Sequence, residues 1–214
     1  MLQDIRLKTE QENQFLGDMF EGFLDQGVKQ SEGQFFTPMP IVKFILKSLP
    51  LKKIITESEE IPKVIDYACG AGHFLNEYAT EIKPIVEENK GSEIEKYYGA
   101  ITGIEKEYRL SKVAKVSSFM YGQDDINIIY GDALSKIPKV QDKSYSILVA
   151  NPPYSVKGYL ETLPVMDRKR FELINTIEEK SFPNNNSIET FFIERAKQLL
   201  KPGGVAAIIV PSSI

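Results

Sequence analysis

The run Asn151-Pro152-Pro153-Tyr154 follows the apolar stretch Tyr145–Ala150, and its side chains and carbonyls suit the capture of a planar amine. A nitrogen whose lone pair is spread into a ring or a carbonyl is a poor nucleophile. It needs hydrogen-bond acceptors rather than a strong base. The side-chain oxygen of Asn151 can take one N–H, and the carbonyl of Pro152, which precedes a residue with no N–H of its own, can take the other. Drawing both hydrogens out of plane localises the lone pair, and the fixed dipoles stabilise the positive charge that grows as the nitrogen attacks a methyl group. Tyr154 offers a stacking face for the ring. The tetrapeptide also fits a plain turn that ends a strand, since Asn and Pro are common turn residues.

Other strand ends carry matching chemistry. Asp66-Tyr67-Ala68-Cys69-Gly70-Ala71-Gly72 lies where a strand turns into a helix, and its two glycines allow close approach of a ligand to the backbone. Phe74 and Leu75 follow His73, so the third glycine of the dinucleotide fingerprint is absent, as is the Gly-Lys-Ser/Thr of an ATPase. Asp66 suits a ligand with an ammonium and a sulfonium rather than a pyrophosphate. Glu105 ends the next strand, where a carboxylate can accept from both hydroxyls of a ribose. Gly131-Asp132-Ala133-Leu134 ends the third, with a carboxylate for an adenine amine and an apolar wall for its ring. Each acid alone reads as a surface charge. Polar groups of the right kind at four strand ends in order are much harder to reach by chance.

These residues need an open sheet to bring them to one edge. The apolar residues Phe15, Leu16, Met19, Phe20, Phe23 and Leu24 predict an amphipathic helix ending near Gly27, and a second helix follows Pro40 and stops at Pro50. Lys52 to Pro62 reads as a charged surface connection. Strands are expected over Lys63–Ala68, Tyr98–Ile104, Ile126–Tyr130, Ser144–Ala150 and Val205–Val210, separated by helices that begin near Gly72, carry Leu110 to Met120, and span Ile188 to Leu200. Lys201-Pro202-Gly203-Gly204 predicts a sharp turn into the last strand. The connection from Ser155 to Ser187 is unusually long, which marks functional or mobile loops.

Composition bounds the answer. The 214 residues suffice for one full α/β domain. One cysteine, Cys69, excludes an intrachain disulfide and a cysteine-cluster zinc site, and with a single histidine no metal site is expected. No stretch approaches the roughly 20 apolar residues of a membrane span, and the acidic N-terminus lacks a signal pattern, so a cytoplasmic location is expected. A net charge of −4 is unlike that of a protein gripping nucleic acid alone. Either the substrate is not nucleic acid, or most phosphate contacts come from a partner or a further domain.

With these motifs in place the chain resembles the S-adenosylmethionine-dependent N6-adenine DNA methyltransferases, and among them the modification subunits of type I restriction systems. The resemblance spans about Gln14 to Ile214. It rests on Gly33-Gln34-Phe35-Phe36-Thr37-Pro38, on Asp66 to Gly72, on Asn151-Pro152-Pro153-Tyr154-Ser155, on the helix with Glu189, Phe192 and Arg195, and on Leu200 to Gly204. It implies a doubly wound, mostly parallel Rossmann-like α/β sheet. Residues 1–50 would form an N-terminal helical segment bearing the Gly33–Pro38 motif, and 51–214 a catalytic core cut after its fifth strand and lacking the closing strands. The methionine end of the cofactor would lie near Phe36, Thr37, Pro38, Asp66 and Gly70, with Ala68, Cys69 and Gly72 in the same loop. Glu105 would hold the ribose, Asp132 and Ala133 the adenine, and Asn151 the transferring end.

The resemblance further implies double-stranded DNA as substrate, with the target adenine flipped against Tyr154 and its N6 held by the catalytic set Asn151, Pro152, Pro153 and Tyr154. A specificity subunit and a restriction subunit are the implied partners. Cys69 is no nucleophile in this scheme, and His73 is most simply a helix-start residue. Two alternatives share parts of the pattern: a methyltransferase acting on glutamine or on RNA guanine N2 with the same Asn-Pro-Pro-Tyr chemistry, and a non-catalytic cofactor-binding module.

Overall fold

The computed structural model describes residues 37–91 and 93–212. The helix expected over Phe15–Leu24 and the first part of the Gly33–Pro38 segment, Phe36 included, lie outside the described residues. Five strands form a single sheet: β1 Val64–Asp66, β2 Ile101–Glu105, β3 Asn127–Tyr130, β4 Tyr145–Ala150 and β5 Leu200–Ile208, in the order β3-β2-β1-β4-β5. Every pairing is parallel. The order reverses between β1 and β4, so the carboxyl ends of these two strands flank the crevice where open α/β sheets bind ligands.

Both faces of the sheet are covered, as parallel sheets require. Val64, Ile101, Ile128, Ile147 and Val149 enter one buried cluster, while Ile65, Ile104, Leu148 and Ala150 enter the other. That division follows the period-2 alternation of side chains along a strand. The first cluster is closed by α1 (Met39–Ser48), α2 (Leu51–Glu57), α3 (His73–Lys90), α4 (Ile94–Gly99) and α5 (Tyr108–Met120). The second is closed by α6 (Tyr159–Thr162), two 3₁₀ turns and α8 (Ile188–Leu199), while α7 (Val165–Arg168) buries no side chain.

Several boundaries differ from the sequence reading. The stretch Lys52 to Pro62 is not all surface connection, because Leu51 and Ile55, four residues apart on α2, are buried beneath the sheet's first cluster. Strand β1 ends at Asp66 instead of Ala68, since the Asp66 carboxylate accepts the Ala68 N–H at 3.0 Å and bends the chain. Tyr97 and Tyr98 belong to α4 and are buried there, so β2 begins later, at Ile101. Two adjacent tyrosines suit a strand by propensity, but here packing against α3 decides. Lys201 to Gly204 lie within β5 as an irregularity: Tyr145 pairs with Leu200 and Ile147 with Val205, the extra residues being absorbed with Gly203 at φ +77. The 155–187 connection buries Tyr159, Leu160, Leu163, Phe171 and Phe182, which explains how so long a segment packs as part of the domain.

Candidate active site

The polar residues singled out in the sequence meet at the carboxyl edge. At the end of β1, Asp66 is 1% exposed. Burial pushes its carboxyl up to about 8; the Ala68 N–H opposes this and the nearby Glu105 adds to it. Glu105, at the end of β2, is also buried, and desolvation raises its carboxyl against the pull of the Glu107 and Gly70 N–H groups. Its two oxygens accept from Gly70 N at 2.9 Å and from Glu107 N at 2.7 Å. Glu105 therefore ties the glycine turn to its own strand end. A carboxylate oxygen accepts more than one bond, so these contacts leave room for hydroxyl donors.

The turn itself is built by backbone geometry. Gly70 and Gly72 have φ of +53 and +92, a region that side chains rarely adopt. A Cβ at Gly70 would meet nothing within 4 Å among the described residues, so the turn has a face open to them there. Cys69 instead points into the core; burial pushes its thiol up, which makes it inert as a nucleophile. Behind the turn, Gly103 of β2 is needed for contact: a Cβ would lie 2.5 Å from Leu75 Cδ1 and 2.9 Å from both Cys69 Sγ and Ile128 Cδ1.

Across the switch point, β4 delivers Asn151. Its Nδ2 donates to Thr37 Oγ1 at 3.0 Å, and its Oδ1 accepts from the Tyr154 hydroxyl, which also lies 3.2 Å from the Ile209 carbonyl. Thr37 is buried, and its carbonyl oxygen lies 3.4 Å from Nδ1 of His73, the first residue of α3. Residues from two separate motifs and the first residue of α3 thus share one hydrogen-bonded group. Pro152 is buried, Pro153 and Tyr154 half-buried. On the far side Asp132 accepts the Leu134 N–H at 2.9 Å and pairs with the exposed Lys106 at 2.9 Å, and Ala133 is buried beneath it.

Of the expected site residues, Thr37 and Asn151 meet directly, as do Gly70 and Glu105, whose charge also acts on Asp66. Pro38 instead caps α1, its carbonyl accepting from Ile41 and Val42. Sequence reasoning gave no role to Lys106 or to the Ile209 carbonyl. Glu189 and Arg195 entered only as part of a resemblance, yet both are buried on the apolar stripe of α8. A charge on such a stripe is the signal that marks them.

A parallel sheet of this order, with acidic side chains ending β1 and β2 and Asn-Pro-Pro-Tyr ending β4, is the class I S-adenosylmethionine-dependent methyltransferase-like fold. A Listeria monocytogenes protein provisionally named a class I S-adenosylmethionine-dependent methyltransferase has it at a TM-score of 0.69, with 20% identity, covering 99% of this chain and 57% of that one. The chain belongs to the N-6 DNA Methylase family, whose model matches residues 11–214. It resembles the type I restriction enzyme MjaVII methylase subunit of Methanocaldococcus jannaschii, being 28% identical over 183 residues, 84% of this chain and 29% of that protein. It is also 26% identical over 127 residues to a release factor glutamine methyltransferase of Fusobacterium nucleatum subsp. nucleatum, 59% of this chain and 31% of that one. The chain therefore spans about a third of the length of these curated relatives.

Proposed function

We propose that the protein transfers a methyl group from S-adenosylmethionine to N6 of an adenine flipped out of duplex DNA. It would do so as the modification part of a restriction-modification system, with a specificity subunit and a restriction subunit as partners. The observation that carries this reading is the bond from Asn151 Nδ2 to Thr37 Oγ1, which joins the Gly33–Pro38 and Asn-Pro-Pro-Tyr motifs at the end of the strand paired with the one that Asp66 ends. The site faces suit the cofactor. Asp66 offers a carboxyl for an ammonium, Glu105 one for ribose hydroxyls, and the open face of Gly70 gives room against the backbone. Thr37, Pro38, Ala68, Cys69 and Gly72 would line the methionine side, and Asp132 and Ala133 the adenine side. When bound, S-adenosylmethionine supplies a methyl group on a sulfonium.

The chain's own work is to hold the acceptor. Two bonds to Asn151 fix its amide plane, with Nδ2 committed to Thr37, so Oδ1 faces the acceptor side as a hydrogen-bond acceptor. The carbonyl of Pro152 takes the second N–H of the amine. Tyr154 stacks on the base, and its hydroxyl, now on Asn151 and Ile209, shifts or shares Oδ1 as the amine arrives. A chain of net charge −4 leaves most phosphate contacts to the partner subunits. A DNA substrate implies a cytoplasmic site of action, and no helix among the described residues is long and apolar enough to cross a membrane.

The test is nucleoside mass spectrometry of duplex DNA incubated with S-adenosylmethionine and the full-length protein, with its specificity partner. N6-methyladenine is the expected product. Methylation of a glutamine peptide or of RNA guanine instead would move the reading to the related amide and guanine methyltransferases. Cofactor binding by calorimetry with no acceptor modified would make it a non-catalytic module.

A further inference from the structure

Helix α8 carries two buried charges that the proposed chemistry does not use, and each is spent on a different active-site loop. Near its start Glu189, 7% exposed, accepts the N–H of Ser155 at 3.1 Å. Ser155 directly follows Tyr154 and has φ +54, a left-handed backbone that a residue other than glycine adopts only when its surroundings hold it there. Six residues later Arg195, 1% exposed, donates from Nε to the Ala133 carbonyl at 3.1 Å. Its Nη1 donates to Asp142 at 2.6 Å and to Gln198 at 2.9 Å. Ala133 belongs to the turn at the end of β3 that would face the cofactor's adenine. Asp142 is 49% exposed, and an ion pair open to water on one side adds little, so fold stability is a poor reason for burying a guanidinium there. Only a planar, multi-donor group reaches one carbonyl and two side-chain acceptors at once.

The same helix also pins the long connection that leads to it from the Asn-Pro-Pro-Tyr loop. Glu194 accepts the N–H groups of Glu172 at 2.5 Å and Leu173 at 3.1 Å, and Gln198 donates to the Arg170 carbonyl at 2.8 Å. A helix is stiff and rises about 1.5 Å per residue, so Glu189 and Arg195 are set about 9 Å apart along one rod. Resting on the methyl-transfer reading above, we propose that Glu189 and Arg195 are positioning residues. Glu189 sets the Asn-Pro-Pro-Tyr loop for the acceptor amine, Arg195 sets the Ala133 turn for the cofactor's adenine, and α8 fixes the spacing between them.

The test uses the full-length protein with its specificity partner, measuring the Kd for S-adenosylmethionine by calorimetry and kcat and KM on duplex DNA for the wild type and four variants. Glu189→Leu is expected to lower kcat about tenfold or more with cofactor Kd within about twofold, since the loss falls on the transfer step. Glu189→Gln, whose amide oxygen still accepts the Ser155 N–H, should recover most of that loss. Arg195→Met should raise the cofactor Kd about tenfold, with kcat at saturating cofactor within about threefold, and Arg195→Lys should recover part of the affinity. Should either apolar variant fail to fold, Glu189→Ala and Arg195→Gln take their place, with the same split between kcat and Kd expected. Equal losses of both parameters at both positions, in step with a falling Tm, would overturn the inference while leaving the methyltransferase reading intact. A wild type that binds no S-adenosylmethionine would overturn both.

Discussion

Asp66 is held at about 8 by burial, so near neutral pH much of it carries a proton. Its unfolded-state value is the ordinary 3.8. Between these values the folded chain keeps a proton that the unfolded chain has released, so this group lowers stability as pH rises through that window. Asp66→Asn should therefore flatten the decline, making the variant more stable than wild type at pH 8 and nearly equal to it below pH 4, as urea unfolding at the two pH values would show. The same variant should lose cofactor affinity. An ammonium ligand favours the ionised carboxylate, so wild-type binding should tighten toward pH 8 and release a proton, measurable by calorimetry in buffers of different ionisation enthalpy. Asn151→Ala makes a different prediction. Removing a dipole aimed at charge that develops only during transfer should cost about 10²–10³ in kcat. Cofactor affinity should stay within about twofold, the pattern expected when only the transition state is affected. Full retained methylation would exclude Asn151 from the amine site.

Among the elements, the contact between β2 and α3 tightly constrains the Gly70 turn. Gly103 has no room for a methyl group against Leu75, Cys69 and Ile128, and those first two residues frame the loop that presents Gly70. Gly103→Ala should destabilise the fold by roughly 1–3 kcal/mol through overpacking, seen as a lowered urea midpoint with an unchanged slope. A change in cofactor affinity at the same time would show that the strain reaches the turn. Helices α3 and α5 are joined by a buried polar group in which Asn76 donates to Ser117 at 2.7 Å and accepts from Ser118 at 3.1 Å, while Gln123 donates to the Asn76 carbonyl at 3.0 Å. Helix existence was readable from apolar spacing. This polar seam was not, because Asn and Ser at helical positions, and a Gln in the turn that follows, look solvent-facing until a second helix covers them.

At the scale of the whole molecule, the mildly acidic charge makes a prediction about DNA. Binding by this chain alone should show a shallow dependence on salt between 50 and 200 mM, and addition of a specificity partner should steepen it, as anisotropy titrations would measure; the slope tracks the number of neutralised phosphates. A steep slope for the chain alone would assign it a phosphate-binding face of its own. The sequence by itself determined the parallel sheet and placed Asp66, Glu105 and the Asn-Pro-Pro-Tyr run at strand ends, because strand period, glycine turns and strand-end residues are local signals read within a few positions of each other. It also carried the family resemblance. What only the tertiary structure decided are the meetings between distant segments: Thr37 with Asn151, Glu105 with Gly70, Glu189 with Ser155 and Arg195 with Ala133. Each is a hydrogen bond between residues at least 34 positions apart. The physical reason is that a polar side chain's partner is set by which groups are buried beside it, and burial is a property of the packed chain.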